Sequence, residues 1–284
     1  MTRQPLVAQR AEDLLGTAVV ATAPIAGGDI ATATRLRLSD GTTALMKTLP
    51  HAPADFFHAE AAGLRWLGEA GGAQVPEVLG VDQECVIIRW VEPGKNSVDA
   101  ATSFGHELAA THAAGAPGFG LDHDGYIGRL PLPNKPTDTW AEFYAVRRVL
   151  PYLKVAFDRG AAEPSHVAAI EALVPKLPDL LPEEAPSRLH GDLWNGNVLW
   201  GLDGHVSLID PAAYGGHREV DLAMLALFGL PHLPRVLDAY LEAAPLSDGW
   251  EDRVALHQLF PLLVHACHFG GGYAARAADI AARY

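Results

Sequence analysis

The sequence predicts an α+β chain of two lobes, a small antiparallel sheet followed by a mainly helical region. Three observations lead there. The first third is rich in short strand patterns, with period-two alternation clearest over 31–38, and the remainder carries mostly helical patterns. Between them Glu92-Pro93-Gly94 breaks both patterns. The expected division is residues 1–91 as the first lobe, 92–96 as a hinge and 97–284 as the second lobe.

Val7 to Leu15 has helical spacing and stops at Gly16. Val19 to Ala23 reads as a strand, and Pro24 to Asp29 as a glycine-bearing loop. Over 31–38, Leu36 and Leu38 alternate with Arg35 and Arg37, the mark of a half-buried strand. Ser39-Asp40-Gly41 turns the chain into a third strand, Thr43 to Thr48. A helix is expected from about Asp55 to Ala70, then short strands at Glu77 to Val81 and Cys85 to Val91. Helices are expected at 98–114, 138–159, 164–174, 219–229, 233–243 and 249–270. A hairpin, Val198 to Trp200 with His205 to Ile209, interrupts them at Leu202-Asp203-Gly204. The Gly/Pro-rich segment 115–137 exceeds an ordinary connector, and loops of that length usually carry function.

Composition narrows the function classes. With 49% hydrophobic and 19% charged residues the chain reads as globular. A formal charge of −13 argues against nucleic acid and against an anionic membrane surface, since neither is met without clustered Lys and Arg. No apolar run approaches the ~20 residues needed to span a bilayer. The two cysteines, Cys85 and Cys267, sit in apolar runs and read as buried thiols, as in a reducing cytoplasm. A monomer is expected.

Residues 189–197, Leu-His-Gly-Asp-Leu-Trp-Asn-Gly-Asn, followed by Asp210, carry the chemistry. Phosphoryl transfer needs a carboxylate beside the attacking hydroxyl and hard oxygen ligands for Mg²⁺ on the phosphates of ATP. Asp192 suits the first task, and Asn197 and Asp210 suit the second. His190 is expected to tie the loop to its surroundings. Asp221, in the first turn of a helix, is either a helix-dipole partner or a clamp on the loop backbone. Trp194, two residues past Asp192, offers an indole face to a sugar or an amine.

Lys47 is one of five lysines and shares a strand face with Leu45. Glu60 falls on the apolar stripe of the following helix, where a carboxylate is costly unless paired. The two make a natural pair, aiming an ammonium at the α- and β-phosphates. Gly27 and Gly28 would let backbone N–H groups approach those phosphates. No Gly-x-Gly-x-x-Gly and no Gly-Lys-Ser/Thr loop occurs. His257, His265 and His268 lie near Cys267 in one helical pattern, but their spacing fits no zinc signature.

At these residues the chain resembles the fructosamine/ketosamine-3-kinase family, a branch of the protein-kinase-like fold that includes aminoglycoside and choline phosphotransferases. The matches are His190-Gly-Asp-Leu-Trp-x-Gly-Asn197, Ile209-Asp-Pro-Ala, Tyr214-Gly-Gly-His-Arg-Glu-Val-Asp-Leu-Ala223 and Leu227-Phe-Gly229. Lys47, Glu60, Tyr126-Ile-Gly128, Asn134 and Trp140-Ala-Glu-Phe143 extend them over nearly the whole chain. The resemblance implies an ATP- and Mg²⁺-dependent kinase for the 3-hydroxyl of a ketose joined to an amine, free or protein-bound, with deglycation as the outcome. It implies Asp192 as proton acceptor, Asn197 and Asp210 as metal ligands, and Lys47 with Glu60 as phosphate clamp. Arg89, Trp90 and Val91 would be the segment that pairs with adenine, and Trp194, His217 and Arg218 the substrate contacts. Leu132 stands where the family usually carries Gln. Rival readings are a kinase for an aminoglycoside- or choline-like acceptor and a catalytically silent ATP-binding scaffold. Asp210-Pro211-Ala212 in place of Asp-Phe-Gly disfavours a protein kinase.

Overall fold

The computed structural model describes residues 3–26 and 30–284, with side chains from Leu6 onward. Helix α1 (Arg3–Leu15) precedes a five-stranded antiparallel sheet of β1 (Val19–Ile25), β2 (Thr32–Leu38), β3 (Thr43–Thr48), β4 (Val78–Val81) and β5 (Cys85–Arg89). Their spatial order is β1-β2-β3-β5-β4, with α2 (Phe56–Gly68) crossing over between β3 and β4. Strand alternation divides the sheet into two faces. Leu36, Leu38, Ala44, Met46, Cys85 and Ile87 pack with Ala11 of α1, while Val86 and Ile88 pack with Phe57, Ala61 and Leu64 of α2. Lys47 follows Met46 and so falls on the α2 side.

Ser97 caps α3 (Val98–Ala113) by accepting the Ala100 N–H. The long segment that follows is ordered by a hairpin of β6 (Gly125–Ile127) and β7 (Leu130–Leu132). Isolated bridges join Phe119 to Thr137 and Gly120 to Gly215. The 138–159 pattern resolves into α4 (Trp140–Phe143), a π-helical turn over 144–149 and α5 (Leu150–Asp158). Then come α6 (Pro164–Leu173) and the short α7 (Leu177–Leu180).

Strand β8 (Ser187–Leu189) leads into the 190–197 loop, and β9 (Val198–Trp200) and β10 (Val206–Leu208) form the expected hairpin after it. Strand β11 (Tyr214–Gly216) pairs back on β8, Tyr214 opposite Leu189, so the loop is closed off between two-stranded pieces. Helices α8 (Glu219–Phe228) and α9 (Leu233–Ala243) follow. The single helix expected over 249–270 is two, α10 (Trp250–His257) and α11 (Leu259–Phe269). Pro261 accounts for the break, because it has no N–H to return to the carbonyl of His257. A last helix, α12 (Tyr273–Ala281), was not apparent in the sequence. No helix among the described residues is long and apolar enough to cross a membrane.

The two lobes join at residues 90–94. Trp90 N–H donates to the Thr43 carbonyl (3.0 Å), Gly94 N–H to Trp200 (2.7 Å) and Leu202 N–H to Glu92 (2.8 Å). Cys85 and Cys267 are buried free thiols, one beneath the sheet and one in the helical core; burial pushes them up to about 12 and about 11.

Candidate active site

Between the lobes lies a cleft of about 1700 Å³. A pocket for one small ligand is roughly 300–1000 Å³, so this cleft has room for a nucleotide and an acceptor together. Ala33, Leu45 and Ile88 face it from the sheet, and Leu199 and Ile209 from the helical lobe, giving two apolar walls for a flat ring. Arg89, Trp90 and Val91 line its back. The Arg89 side chain turns outward to Glu77 (2.6 Å), and Arg35 covers the Trp90 ring at 4.7 Å. Among the described residues the Val91 N–H and C=O take no protein partner, so it is the Val91 backbone that is left for a ring edge.

Lys47 reaches across the cleft. Its Nζ lies 2.7 Å from Glu60 Oε1 and 2.7 Å from Asp210 Oδ1. Burial works against the ammonium, but Glu60 and Asp210 outweigh it and hold its pKa above the ordinary lysine value. Among the described residues Asp210 is one of three non-glycine residues with left-handed backbone, at φ +54°. Only a few residue types, Asp among them, tolerate that conformation, and it commonly marks a site held in place by its surroundings. Gly63 lets α2 come close to this segment: a Cβ there would stand 3.2 Å from Pro211 and 3.3 Å from Ala213.

The 190–197 loop is fixed by backbone donors. Asp221, fully buried in α8, accepts the N–H of His190 (2.8 Å) on one oxygen and that of Gly191 (2.9 Å) on the other. His112 lies 3.2 Å from Asp221 and 2.8 Å from the Tyr240 hydroxyl. Burial opposes the Asp221 charge, yet His112 and these donors hold its pKa below the usual carboxylate range. The clamp alternative for Asp221 is thus the geometry observed. His190 donates Nε2–H to the Ile209 carbonyl (2.8 Å) and accepts the Asp192 N–H on Nδ1 (3.3 Å). Both ring nitrogens are committed, and burial lowers the His190 pKa, so the imidazole is a neutral strut. Gly191 sits at φ +81°, where a Cβ would collide with the Ala212 carbonyl.

Asp192 opens on the cleft. Burial first, and Asp210 second, push its carboxyl up to about 7 against the Asn197 hydrogen bond. Asn197 donates Nδ2–H to the Asp192 carbonyl (2.8 Å) and to Asp192 Oδ2 (3.2 Å). This spends the amide nitrogen and leaves Asn197 Oδ1 without a protein donor among the described residues. A free amide oxygen beside a half-exposed carboxylate at Asp210 is a hard-oxygen pair suited to a divalent cation such as Mg²⁺. Trp194 stands beside them at the surface, 36% exposed, with Gly196 against its ring.

Two expected contacts are corrected. His217 is buried and stacks on His257 (5.1 Å), outside the cleft lining. Arg218 turns away and grips Glu184 with two nitrogens at 2.8 and 3.0 Å. Both are framework, because the chain leaving β11 runs inward rather than along the cleft. Gly27 and Gly28 lie outside the described residues. His257, His265, His268 and Cys267 do not converge: His265 bonds Pro261, Cys267 bonds Tyr152 and His268 bonds Ile127.

A different trio does converge, His217, Glu219 and His257, all buried. It is not built for a cation. Glu219 N–H occupies His217 Nδ1 (3.3 Å) and Trp140 Nε1–H occupies His257 Nε2 (3.3 Å). A ring that accepts there carries its proton on the other nitrogen, His257 Nδ1 toward Glu219 (3.3 Å) and His217 Nε2 toward Glu184 (3.6 Å), which leaves no lone pair for a cation. Glu219 is already held by Arg253 at 2.6 Å. Sequence reasoning also missed Asn134 as an organiser of the 115–137 segment. Its N–H reaches Asp124 (2.7 Å), its amide reaches the His123 carbonyl (3.2 Å), and its Oδ1 accepts from Arg148 (2.6 Å).

The family model described as fructosamine kinase matches residues 4–284. A probable ketoamine kinase of Thermus thermophilus is 36% identical over 255 residues, covering 88% of each chain. The crystal structure of a candidate fructosamine-3-kinase from Thermobifida fusca superposes with a TM-score of 0.93 at 51% identity, over 97% of this chain and 96% of that one. The streptomycin–ATP ternary complex of APH(2")-IIa shares the fold alone, with a TM-score of 0.67 at 10% identity over 100% and 97% of the two chains.

Proposed function

The chain belongs to the fructosamine kinase family, and from that premise we propose that it phosphorylates the 3-hydroxyl of a ketosamine, using ATP with Mg²⁺. It is an ATP-dependent kinase by family; the acceptor, the hydroxyl and the residue roles are the substance of the proposal. The 3-phosphate is unstable, and its decomposition releases the amine from the sugar.

The observation that carries this reading is the convergence on one cleft of the Lys47–Glu60–Asp210 triad, at 2.7 Å for each bond, with Asp192 and Asn197. Adenine enters between the two apolar walls and pairs with the Val91 backbone. Lys47, kept charged and aimed by Glu60, meets the α- and β-phosphates. Asn197 Oδ1 and Asp210 would hold Mg²⁺, which when bound neutralises charge on the phosphate oxygens. Asp192 accepts a hydrogen bond from the sugar hydroxyl, orients it toward the γ-phosphorus and takes its proton as the new bond forms. A carboxyl pushed up to about 7 is matched to that task, since a base works best with a pKa near the working pH. His190 and Asp221 hold the loop that presents it, and Trp194 forms the platform beside it.

The test is ADP release from Mg-ATP with ribuloselysine, fructoselysine, kanamycin and choline. Turnover of a ketosamine is expected. Turnover confined to kanamycin or choline would replace the acceptor, and ATP binding without turnover on any of the four would favour a scaffold.

A further inference from the structure

One side of the cleft is aromatic along its length, and the roles above use only its first member. The Trp194 ring lies 6.2 Å from Phe228 in edge contact, and Phe228 lies 4.6 Å from His265. His265 in turn lies 5.6 Å from Phe269 and 5.3 Å from Tyr273. The members come from the 190–197 loop, the last turn of α8, α11 and the start of α12, so only the fold makes them continuous. All five line the cleft that holds Asp192. Trp194, Phe228 and Phe269 remain 36, 37 and 61% exposed. Large apolar side chains gathered in water at the mouth of a cleft mark a binding surface.

The wall has a definite chemical character. It contributes no Lys or Arg. His265 donates Nδ1–H to the Pro261 carbonyl at 2.7 Å, which leaves its Nε2 as an acceptor. Burial lowers the His265 pKa, so the ring stays neutral. Aromatic faces and an imidazole lone pair attract an ammonium or a flat apolar group. A carboxylate finds no cationic partner among these five side chains.

We infer that this wall is the subsite for the amine-bearing arm of the acceptor, and that it favours apolar or cationic arms over arms with a carboxylate beside the nitrogen. The inference rests on the ketosamine-kinase reading. In a ketosamine three carbons, C1 to C3, separate the nitrogen from the 3-hydroxyl oxygen, so a hydroxyl at Asp192 brings the nitrogen toward Trp194, two residues on in the same loop. Its substituent then runs outward over Phe228 and Phe269.

The experiment compares kcat/KM for ketosamines sharing one sugar, built on 2-phenylethylamine, methylamine and glycine, with wild type and Phe228→Ala/Phe269→Ala. Wild type is expected to favour the phenylethyl over the glycine adduct by about tenfold or more, the scale of one good aromatic or cation–π contact. In the double variant the phenylethyl-to-methyl ratio should fall about fivefold, a readout that general loss of activity cannot mimic. Equal turnover of all arms by wild type, or an unchanged ratio in the variant, overturns the inference while leaving the kinase reading intact. Failure to turn over any of the three adducts overturns the kinase reading and the inference with it.

Discussion

The Arg148 guanidinium lies 3.9 Å from the centre of the Tyr214 ring and is fully buried, with no carboxylate partner among the described residues. Phe143 and Phe260 complete its aromatic surroundings at 4.6 and 5.4 Å. Its nitrogens reach the Pro133 carbonyl (2.7 Å) and Asn134 Oδ1 (2.6 Å). One side chain thus joins β11, which pairs with the strand feeding the 190–197 loop, to the segment bordering the acceptor side of the cleft. Arg148→Leu strands those acceptors and should cost about 2–4 kcal/mol, read as a shift in the urea midpoint. Acceptor KM should rise more than ATP KM. Arg148→Lys should not rescue it, because an ammonium cannot reproduce the planar fork between rings.

Lys47→Met should leave Glu60 and Asp210 as neighbouring carboxylates without a counter-charge. Breaking a buried pair from one side costs about 3–5 kcal/mol, and this site, open to the cleft at Asp210, should lie at or below that range. Adding Glu60→Gln should recover part of the stability and none of the activity, with kcat down by about 10²–10³ in both variants. Calorimetry and a coupled ADP assay on the two proteins separate the effects. Recovery of activity in the double variant would overturn the phosphate role of Lys47.

The raised Asp192 pKa, about 7 in the folded chain, fixes a pH signature. An unfolded Asp loses its proton near pH 4, at about its reference value of 3.9, so between there and pH 7 the native state binds more protons than the unfolded state. Stability contributed at this site therefore falls as pH rises through that window. Asp192→Asn should melt above wild type at pH 8 and lose the advantage by pH 4. Its kcat should drop by about 10²–10⁴ with nucleotide affinity nearly intact. In wild type, kcat/KM should decline on the acid side with a midpoint near 7 in the free enzyme.

Arg218 tests the correction made above. If it is framework, Arg218→Met should lower the free energy of unfolding by about 1–3 kcal/mol, because Glu184 and two backbone carbonyls lose their donor. Acceptor KM should be unchanged within error. A selective rise in KM would return Arg218 to the substrate.

The readable parts of the chain were those where one residue pattern serves one physical purpose. Alternation along β2 and β3 located both faces of the sheet, and a lone carboxylate on the apolar stripe of α2 was enough to pair Glu60 with Lys47. Asp192, Asn197 and Asp210 were legible because short spacing keeps them together whatever the rest of the fold does. The misreadings came where topology decides. His217 and Arg218 follow the loop closely in sequence but turn into the core. Strands β8 and β11 are three residues each and pair across a gap that no local pattern reports. Phe228 and Phe269 look like ordinary helix-end apolar residues until α8 and α11 meet at His265.

The π-helical turn over 144–149 acts as a register device. The Leu150 N–H bonds the Ala145 carbonyl, five residues back, so this stretch holds one residue more than an α-helix would. Removing a single residue there would let the helix close up as regular α and keep its length almost unchanged. The wide turn absorbs that residue, so later side chains would keep their direction, while those inside the turn, the fully buried Tyr144 and Arg148 among them, would be re-aimed. Length itself is specified here, and a one-residue deletion inside the turn should cost more than most point substitutions.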